Sequence, residues 1–230
     1  MAIKTFQAPT TGTTGPLLTL FGVLALGLGL GLPGLSAAQA LNLEGKYDLI
    51  DPPQPTDSPD KVEIVDVFWY GCPHCYSFLP SMEALDKRKA DYIEIRRMPA
   101  IFRDSWAIHA RAYYTAKLLN AVESIHRPLF EAIHEKQQPL NTPDLLRKFF
   151  VDHGVDGKAF DKIFESFAVE TMLRKSVLMQ GRYGVRGTPS VIVNGKYRIS
   201  AGKAGGYGEM VDVAEALAER EHLKQKMVSK

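Results

Sequence analysis

The hydrophobic pattern predicts two strands in the first half of the chain and a hairpin near its end. Residues 61–70, K-V-E-I-V-D-V-F-W-Y, are β-branched, aromatic and nearly continuous in apolar character, which is typical of a central strand buried on both faces. Residues 91–98, D-Y-I-E-I-R-R-M, predict a second strand. Apolar runs also flank Asn194-Gly195, a dipeptide that strongly favours a two-residue turn between antiparallel strands.

Helices are predicted immediately after the first strand and at the C-terminal end. Cys75 begins a stripe of apolar residues at helical spacing, which is the spacing of a buried helix face; it continues with Phe78, Leu79, Met82 and Leu85. A covering helix is expected over residues 207–222.

The long middle part of the chain is helical in pattern throughout. Ser105 is a candidate N-cap for its first helix, and Thr142-Pro143 begins another helix that Gly154 ends. Further helical stretches run over residues 157–183. We expect the aromatic residues of this part to pack in the core: Trp106, Tyr113, Phe149, Phe150, Phe160, Phe164 and Phe167.

The first forty residues differ from the rest and predict an exported protein. Lys4 is their only charged residue, and residues 17–35 are apolar apart from Thr19 until Pro33-Gly34 breaks the run. Small residues follow in S-A-A-Q-A, so the segment has the three parts of a secretory signal peptide, with cleavage expected after Ala40. The alternative is an uncleaved membrane anchor, since the apolar run approaches the length of a membrane span.

Composition and charge narrow the class of protein. The chain has 230 residues, of which 45% are hydrophobic, so it is long enough to bury a core as one domain or as one domain with a large insertion. Its 28 basic and 26 acidic residues give a net charge of +2. Because nucleic-acid binding usually needs a strongly basic face, this balance argues against a nucleic-acid partner.

The chain has only two cysteines, Cys72 and Cys75, three positions apart. A disulfide closing so short a loop would constrain little of the unfolded chain, so a purely structural role is a poor explanation. Haem attachment of the c type needs a histidine at position 76, which is Tyr76. A structural zinc site needs four ligands, and the sequence has no second cysteine pair. Redox chemistry is favoured, while metal binding by the two cysteines and His74 remains the alternative from another class.

Local structure around the cysteines supports the redox interpretation. Gly71 allows a tight exit from the strand, and Pro73 suits the first position of a helix, which makes Cys72 the N-cap. The unpaired N–H groups and the dipole of the helix N-terminus favour a thiolate at Cys72. His74 adds a positive charge or a hydrogen bond, whereas Cys75 faces inward. A stabilised thiolate favours the reduced form, so the disulfide is expected to be oxidising.

Two motifs resemble those of the DsbA family of thiol:disulfide interchange proteins, which are periplasmic oxidases of the thioredoxin fold. Residues 68–76, F-W-Y-G-C-P-H-C-Y, resemble the active-site motif, and residues 184–197, G-V-R-G-T-P-S-V-I-V-N-G-K-Y, resemble the second signature of the family. The two motifs are specific as a pair because they lie more than a hundred residues apart. With the helical stretch between them, the resemblance spans about residues 42–222.

The resemblance implies a fold and two further site residues. The fold is α/β, a thioredoxin-like domain formed by residues 41–104 and 181–230, with an all-helical domain inserted at 105–180. Pro189 is implied to be cis and to lie against the C-x-x-C motif. Thr188 is implied to pair through its main chain with a strand of the substrate.

A buried acid is also implied, six residues before the first cysteine. Asp66 occupies this position, in the middle of the first strand, where an ionised carboxylate is costly. Arg97 or Arg96 takes the approximate place of a basic partner on the next strand. Asp66 is a candidate relay for the proton of Cys75, and a structural ion pair with the arginine is the alternative, because arginine holds a carboxylate firmly ionised.

The function implied is that of an exported dithiol oxidase, active without a cofactor and as a monomer. It would donate the Cys72–Cys75 disulfide to reduced, unfolded client proteins in the periplasm and be reoxidised by a DsbB-like, quinone-linked membrane protein. A disulfide isomerase or reductase on the same fold is the alternative enzyme. Isomerases of this type usually carry an N-terminal dimerisation domain, and residues 41–60 are too few to form one.

Overall fold

A five-stranded sheet carries the fold, and the computed structural model describes residues 41–228 of the chain. In sheet order β1-β5-β4-β2-β3, the strands are β1 (Asp48–Leu49), β5 (Tyr197–Ile199), β4 (Ser190–Val193), β2 (Val62–Phe68) and β3 (Ile93–Pro99). β2 is parallel to β3 and antiparallel to β4, and every residue of β2 is buried. The predicted central strand and the second strand are therefore confirmed.

The predicted hairpin is also confirmed. Asn194 and Gly195 have positive φ angles of 50° and 64°, and the backbone N–H of Lys196 donates to the Val193 carbonyl at 3.0 Å. A side chain at Gly195 would collide with the backbone of Gln54, so the turn needs glycine for space as well as for its backbone angle.

Helices cover the sheet and fill the segment between its two halves. In chain order they are α1 (Pro73–Arg88), α2 (Asp104–Leu118), α3 (Val122–His134), α4 (Pro143–Asp152), α5 (Gly157–Phe164), α6 (Phe167–Arg182), α7 (Ala201–Ala204) and α8 (Tyr207–Val228). The helices α2 to α6 follow one another without a strand between β3 and β4. This is the thioredoxin-like arrangement with helices inserted that the motifs implied.

The two faces of the sheet are buried against different helices. On one face, Ile64 of β2 packs with residues of α1 and α8 such as Met82 and Leu217. On the other face, Val65 and Val67 pack with Met179 of α6 and its neighbours. The buried stripe predicted for α1 is confirmed, since Cys75, Phe78, Leu79, Met82 and Leu85 are all buried.

Two predicted helix bounds are wrong. The first inserted helix has Arg103, not Ser105, as its N-cap, and Asp104 is its first residue. An acidic side chain in the first turn interacts favourably with the helix dipole, which allows the earlier start. The C-terminal helix α8 runs to Val228 and so continues past residue 222. The helix that begins after Thr142 is confirmed, with the Thr142 hydroxyl accepting from the Leu145 N–H at 3.3 Å.

The prediction that all the aromatic residues of the helical part lie in the core is wrong at Phe167, which is 79% exposed. The Ser166 side chain caps α6 by accepting from the Val169 N–H at 3.3 Å. This cap places Phe167 at the first helical position, where its side chain points outward, while Val169 and Leu173 face the core.

The predicted signal peptide and its cleavage site after Ala40 lie outside the described residues. Within residues 41–228, no helix has the length and apolar character needed to cross a membrane.

Candidate active site

The turn between β2 and α1 is shaped by a pair of stacked indoles. Trp69 stacks on Trp106 with ring centroids 3.9 Å apart and an interplanar angle of 3°. A Cβ at Gly71 would collide with the Trp69 ring, so glycine is required at this position. The stack joins the end of β2 to the first turn of α2 and positions the backbone that leads into Cys72.

Cys72 lies at the N-terminus of α1, as the motif predicted. It is the N-cap, with an extended backbone (φ −92°, ψ 114°), and Pro73 is the first helical residue. The Cys72 carbonyl accepts the first helical hydrogen bond, from the Tyr76 N–H at 3.1 Å. Both cysteines are free thiols, and Cys75, at 3% exposed, is the more deeply buried of the two.

The two sulfurs have opposite tendencies to ionise. A hydrogen bond from the Cys75 thiol lowers the pKa of Cys72 to about 5, with further contributions from Thr188 and from the backbone N–H groups of Cys75 and His74, against the opposing effect of burial. Burial raises the pKa of Cys75 far above its ordinary value, and the hydrogen bond to Cys72 and the negative charge there raise it further. The reduced site therefore holds one thiolate and one thiol.

The second motif lies directly beside Cys72. The Thr188–Pro189 peptide bond is cis, and Pro189 stands immediately before β4. The Cys72 sulfur lies 3.5 Å from the Thr188 carbonyl oxygen, across 116 positions of sequence. The sheet thus brings together the two motifs that the sequence separates.

The side chain of His74 is bonded to a residue that the sequence did not single out. The imidazole Nδ1 lies 3.0 Å from the hydroxyl oxygen of Tyr207, the first residue of α8. The Tyr207 ring also packs on Phe78, with centroids 5.6 Å apart. No sequence signal indicated this contact, because it depends on how α8 packs against α1.

Asp66 is buried as expected, but the ion pair with Arg97 that is the alternative to a proton relay is not formed. Arg97 lies opposite Asp66 in the parallel register of β2 and β3, yet it forms its salt bridge with Asp86 of α1, at 3.5 Å. Burial raises the pKa of Asp66 to about 6, and the charge of Arg97 partly offsets this effect. Arg96 points elsewhere and pairs with Glu63 at 2.8 Å.

Two histidines of α3 support the strand that leads to the site. The His134 Nε2 lies 2.7 Å from the Tyr70 carbonyl, and the His134 ring stacks on Tyr76 with centroids 5.2 Å apart. The buried His126 bonds through Nδ1 to the Tyr70 hydroxyl at 2.8 Å. Their common contact with residues 70–76 joins positions 56 and 64 apart in sequence, so it arises only in the folded chain.

A cleft of about 540 Å³ opens between α1 and α3, where Arg97, His126 and Arg127 are among its lining residues.

Within residues 41–228, no group of three or more His, Cys, Asp or Glu side chains is placed to hold a metal ion.

Comparison with known proteins agrees with the geometry. The family described as the DSBA-like thioredoxin domain matches residues 97–218. The thiol:disulfide interchange protein DsbA of Azotobacter vinelandii is 35% identical over 206 residues, which cover 90% of this chain and 96% of the relative. DsbA of Burkholderia cepacia is 36% identical over 181 residues, 78% of this chain and 85% of the relative.

Solved structures give the same result. The crystal structure of Pseudomonas aeruginosa DsbA is similar with a TM-score of 0.77 at 34% identity, covering 82% of this chain and 98% of the other. DsbA from Xylella fastidiosa has a TM-score of 0.73 at 30% identity, covering 77% and 96%. Fold and site together define a thioredoxin-fold thiol:disulfide oxidoreductase. The chain belongs to the DsbA family of thiol:disulfide interchange proteins.

Proposed function

We propose that the protein donates the Cys72–Cys75 disulfide to reduced, unfolded client proteins. The observation that carries this proposal is the difference between the two sulfurs, because the pKa of Cys72 is lowered to about 5 while that of Cys75 is raised. A disulfide whose reduced form is stabilised in this way is a strong acceptor of electrons.

In the first step, a client thiolate attacks the Cys72 sulfur of the oxidised protein. The Cys72–Cys75 bond breaks, a bond forms between Cys72 and the client, and Cys75 leaves as a thiolate. Because burial raises the pKa of Cys75, this thiolate takes up a proton and is a poor nucleophile for the reverse reaction.

In the second step, another client thiolate attacks the client sulfur of the mixed disulfide. The client gains its disulfide, and Cys72 departs with the bonding electrons as a thiolate. A low thiol pKa makes Cys72 a good leaving group, so the same property that makes the protein oxidising also speeds its release from the client.

The residues beside Cys72 are proposed to bind the client. Pro189 has no backbone N–H, so it donates no hydrogen bond to another strand at the start of β4. The main chain of Thr188, whose carbonyl oxygen lies 3.5 Å from the Cys72 sulfur, is proposed to pair with the main chain of an extended client segment.

Asp66 is the candidate acceptor and donor of the Cys75 proton. A buried carboxyl with a pKa of about 6 exchanges protons near neutral pH. Arg97, which lies opposite Asp66, also lines the cleft between α1 and α3, so solvent comes close to this part of the core.

We further propose that the reaction takes place in the periplasm, after export directed by residues 1–40, and that a DsbB-like, quinone-linked membrane protein reoxidises the pair. The division into a thioredoxin-like domain (41–104 and 181–230) and an inserted helical domain (105–180) is part of the same proposal.

The direct test is to mix a reduced, unfolded client protein with one equivalent of this protein in its Cys72–Cys75 disulfide form. We expect loss of client thiols together with appearance of two thiols on the protein, and no activity in the Cys72→Ser variant. Cys75→Ser has no disulfide to donate and should also be inactive on a reduced client. Its Cys72 thiolate should instead attack a client that already carries a disulfide, form a mixed disulfide and release the second client sulfur as a thiolate. Reshuffling of a scrambled client without net oxidation would favour the isomerase alternative, and loss of activity on chelation would favour the metal-binding one.

A further inference from the structure

The imidazole of His74 is held by a partner that comes from the far end of the chain. Its Nδ1 lies 3.0 Å from the Tyr207 hydroxyl, 133 positions later in sequence. His74 itself is exposed and Tyr207 is half-buried. Because an exposed side chain is otherwise free to change rotamer, this bond decides where the ring lies.

Tyr207 is well placed to act as a fixed anchor. Its ring packs at 5.6 Å on Phe78, a buried residue of the stripe that attaches α1 to the sheet. Its backbone begins α8, directly after the turn in which Gly205 has a φ of 114°. The hydroxyl is therefore held in a defined position relative to the first turn of α1.

The hydroxyl also lies within electrostatic range of the reacting sulfurs. Burial raises the pKa of Tyr207, and the nearby sulfurs of Cys72 and Cys75 raise it further. The phenol thus stays neutral, and it can accept from a protonated Nδ1 or donate to an unprotonated one. The contact is available to the imidazole in either charge state.

The ring and the backbone of His74 have different partners. The backbone N–H of His74 is among the groups that lower the pKa of Cys72, whereas the ring nitrogen is engaged by Tyr207 on α8. A positively charged imidazole is attracted to a nearby thiolate. A ring bonded to α8 is restrained from moving to the position that this attraction favours.

We propose that Tyr207 is a positioning residue that holds the imidazole of His74 against α8 and so limits the positive charge that reaches the Cys72 sulfur. The inference rests on the proposed oxidase function, since it concerns how oxidising the same disulfide is. Releasing the ring stabilises the thiolate further and makes the disulfide a stronger oxidant.

The test uses Tyr207→Phe, which keeps the ring on Phe78 and removes only the hydroxyl. Titration of the thiolate by its ultraviolet absorbance should give a pKa of Cys72 lowered by about half a unit, and the equilibrium with glutathione should shift about threefold toward the reduced protein. Tyr92→Phe is the matched control, because Tyr92 also contacts a histidine, stacking on His222 at 3.9 Å. The control should leave both quantities unchanged.

A double-mutant cycle shows whether the effect passes through His74. His74→Ser alone should raise the pKa of Cys72 and make the protein less oxidising, and adding Tyr207→Phe to it should change nothing further. An unchanged or raised pKa in Tyr207→Phe would overturn the proposal, as would an equal shift in the His74→Ser background. Tyr207→Leu gives the same readout should the phenylalanine variant not fold.

Failure of this inference is distinguishable from failure of the proposed function. The double-mutant cycle measures only the effect of the contact between Tyr207 and His74 on the pKa of Cys72. Oxidation of a reduced client by the wild-type protein measures the activity. A wild-type protein without oxidase activity would contradict the proposed function, and the contact would then have no significance for catalysis.

Discussion

At the scale of single residues, ionisation at the site follows from where each sulfur lies along α1. Cys72 stands before the first turn, where N–H groups remain unpaired, and Cys75 lies one turn further in, on the buried side. The same thiol chemistry therefore gives a thiolate at one position and a protonated thiol at the other.

This difference predicts selective alkylation of Cys72. At about pH 5 roughly half of the Cys72 side chains should be thiolate, since its pKa is about 5, while Cys75 stays protonated. Brief treatment of the reduced protein with iodoacetamide, followed by peptide mapping, should find the label on Cys72 alone. Equal labelling of the two cysteines would contradict the assignment of their roles.

Asp66 gives a second prediction, on stability. Its pKa is raised from 3.8 to about 6, so the folded protein binds a proton that the unfolded chain has released, and stability falls as pH rises between these values. Asp66→Asn removes this penalty, and we expect it to stabilise the protein at pH 7 by up to about 3 kcal/mol.

Denaturant unfolding at two pH values provides the internal control for Asp66→Asn. The advantage of the variant should nearly vanish at about pH 3, where the wild-type carboxyl is mostly protonated in both states. A variant that is less stable than the wild type at pH 7 would mean that an ionised Asp66 makes favourable contacts in solution.

At the scale of elements, α3 holds the turn from which the active-site helix begins. His134 bonds to the Tyr70 carbonyl and stacks on Tyr76, so one side chain of the inserted helices touches both ends of the 70–76 segment. The inserted helices are thus part of the support for the reactive turn.

His134→Phe separates the hydrogen bond from the stacking. The phenyl ring keeps the contact with Tyr76 but leaves the Tyr70 carbonyl without this donor, which should cost about 1–2 kcal/mol of unfolding free energy. His222→Phe is the matched control, because His222 also stacks on a tyrosine, the half-buried Tyr92. Equal losses in the two variants would show that the hydrogen bond to Tyr70 adds nothing.

The elements also show what sequence patterns can predict. The central strand, the hairpin and the buried face of α1 follow from local rules of period and turn chemistry, and each was predicted. The cap at Arg103 and the outward Phe167 depend on a choice between neighbouring start positions, which periodicity does not resolve. The His74–Tyr207 contact depends on the packing of helices that are 133 positions apart in sequence, so local sequence patterns do not predict it.

At the scale of the whole molecule, the ionisation of one thiol couples redox state to folding. The pKa of Cys72 falls from 9.0 to about 5 on folding of the reduced protein. Stability from a lowered pKa is complete above the unfolded value and is lost as pH falls through the folded one. At pH 7 the pH is about two units above the folded pKa of Cys72, and each unit adds about 1.4 kcal/mol to the free energy of unfolding of the reduced protein. Screening by solvent makes the actual contribution smaller.

We therefore expect the reduced protein to melt at a higher temperature than the oxidised protein at pH 7. The short loop closed by the Cys72–Cys75 disulfide adds little stability in return. Acidification to about pH 3 should remove the advantage, because Cys72 is then protonated in both states. Paired thermal melts with and without reductant measure this, and an oxidised form that is clearly more stable at pH 7 would contradict the proposed oxidase function.

The stacked indoles beside the site give the protein a built-in optical reporter. Trp69 and Trp106 are the only two tryptophans in the chain, and they lie face to face at 3.9 Å. Two parallel chromophores this close couple their electronic transitions, so all indole emission and the strongest near-ultraviolet circular dichroism arise from one place, three residues from Cys72. Any rearrangement that parts the end of β2 from α2 changes that signal without an added dye.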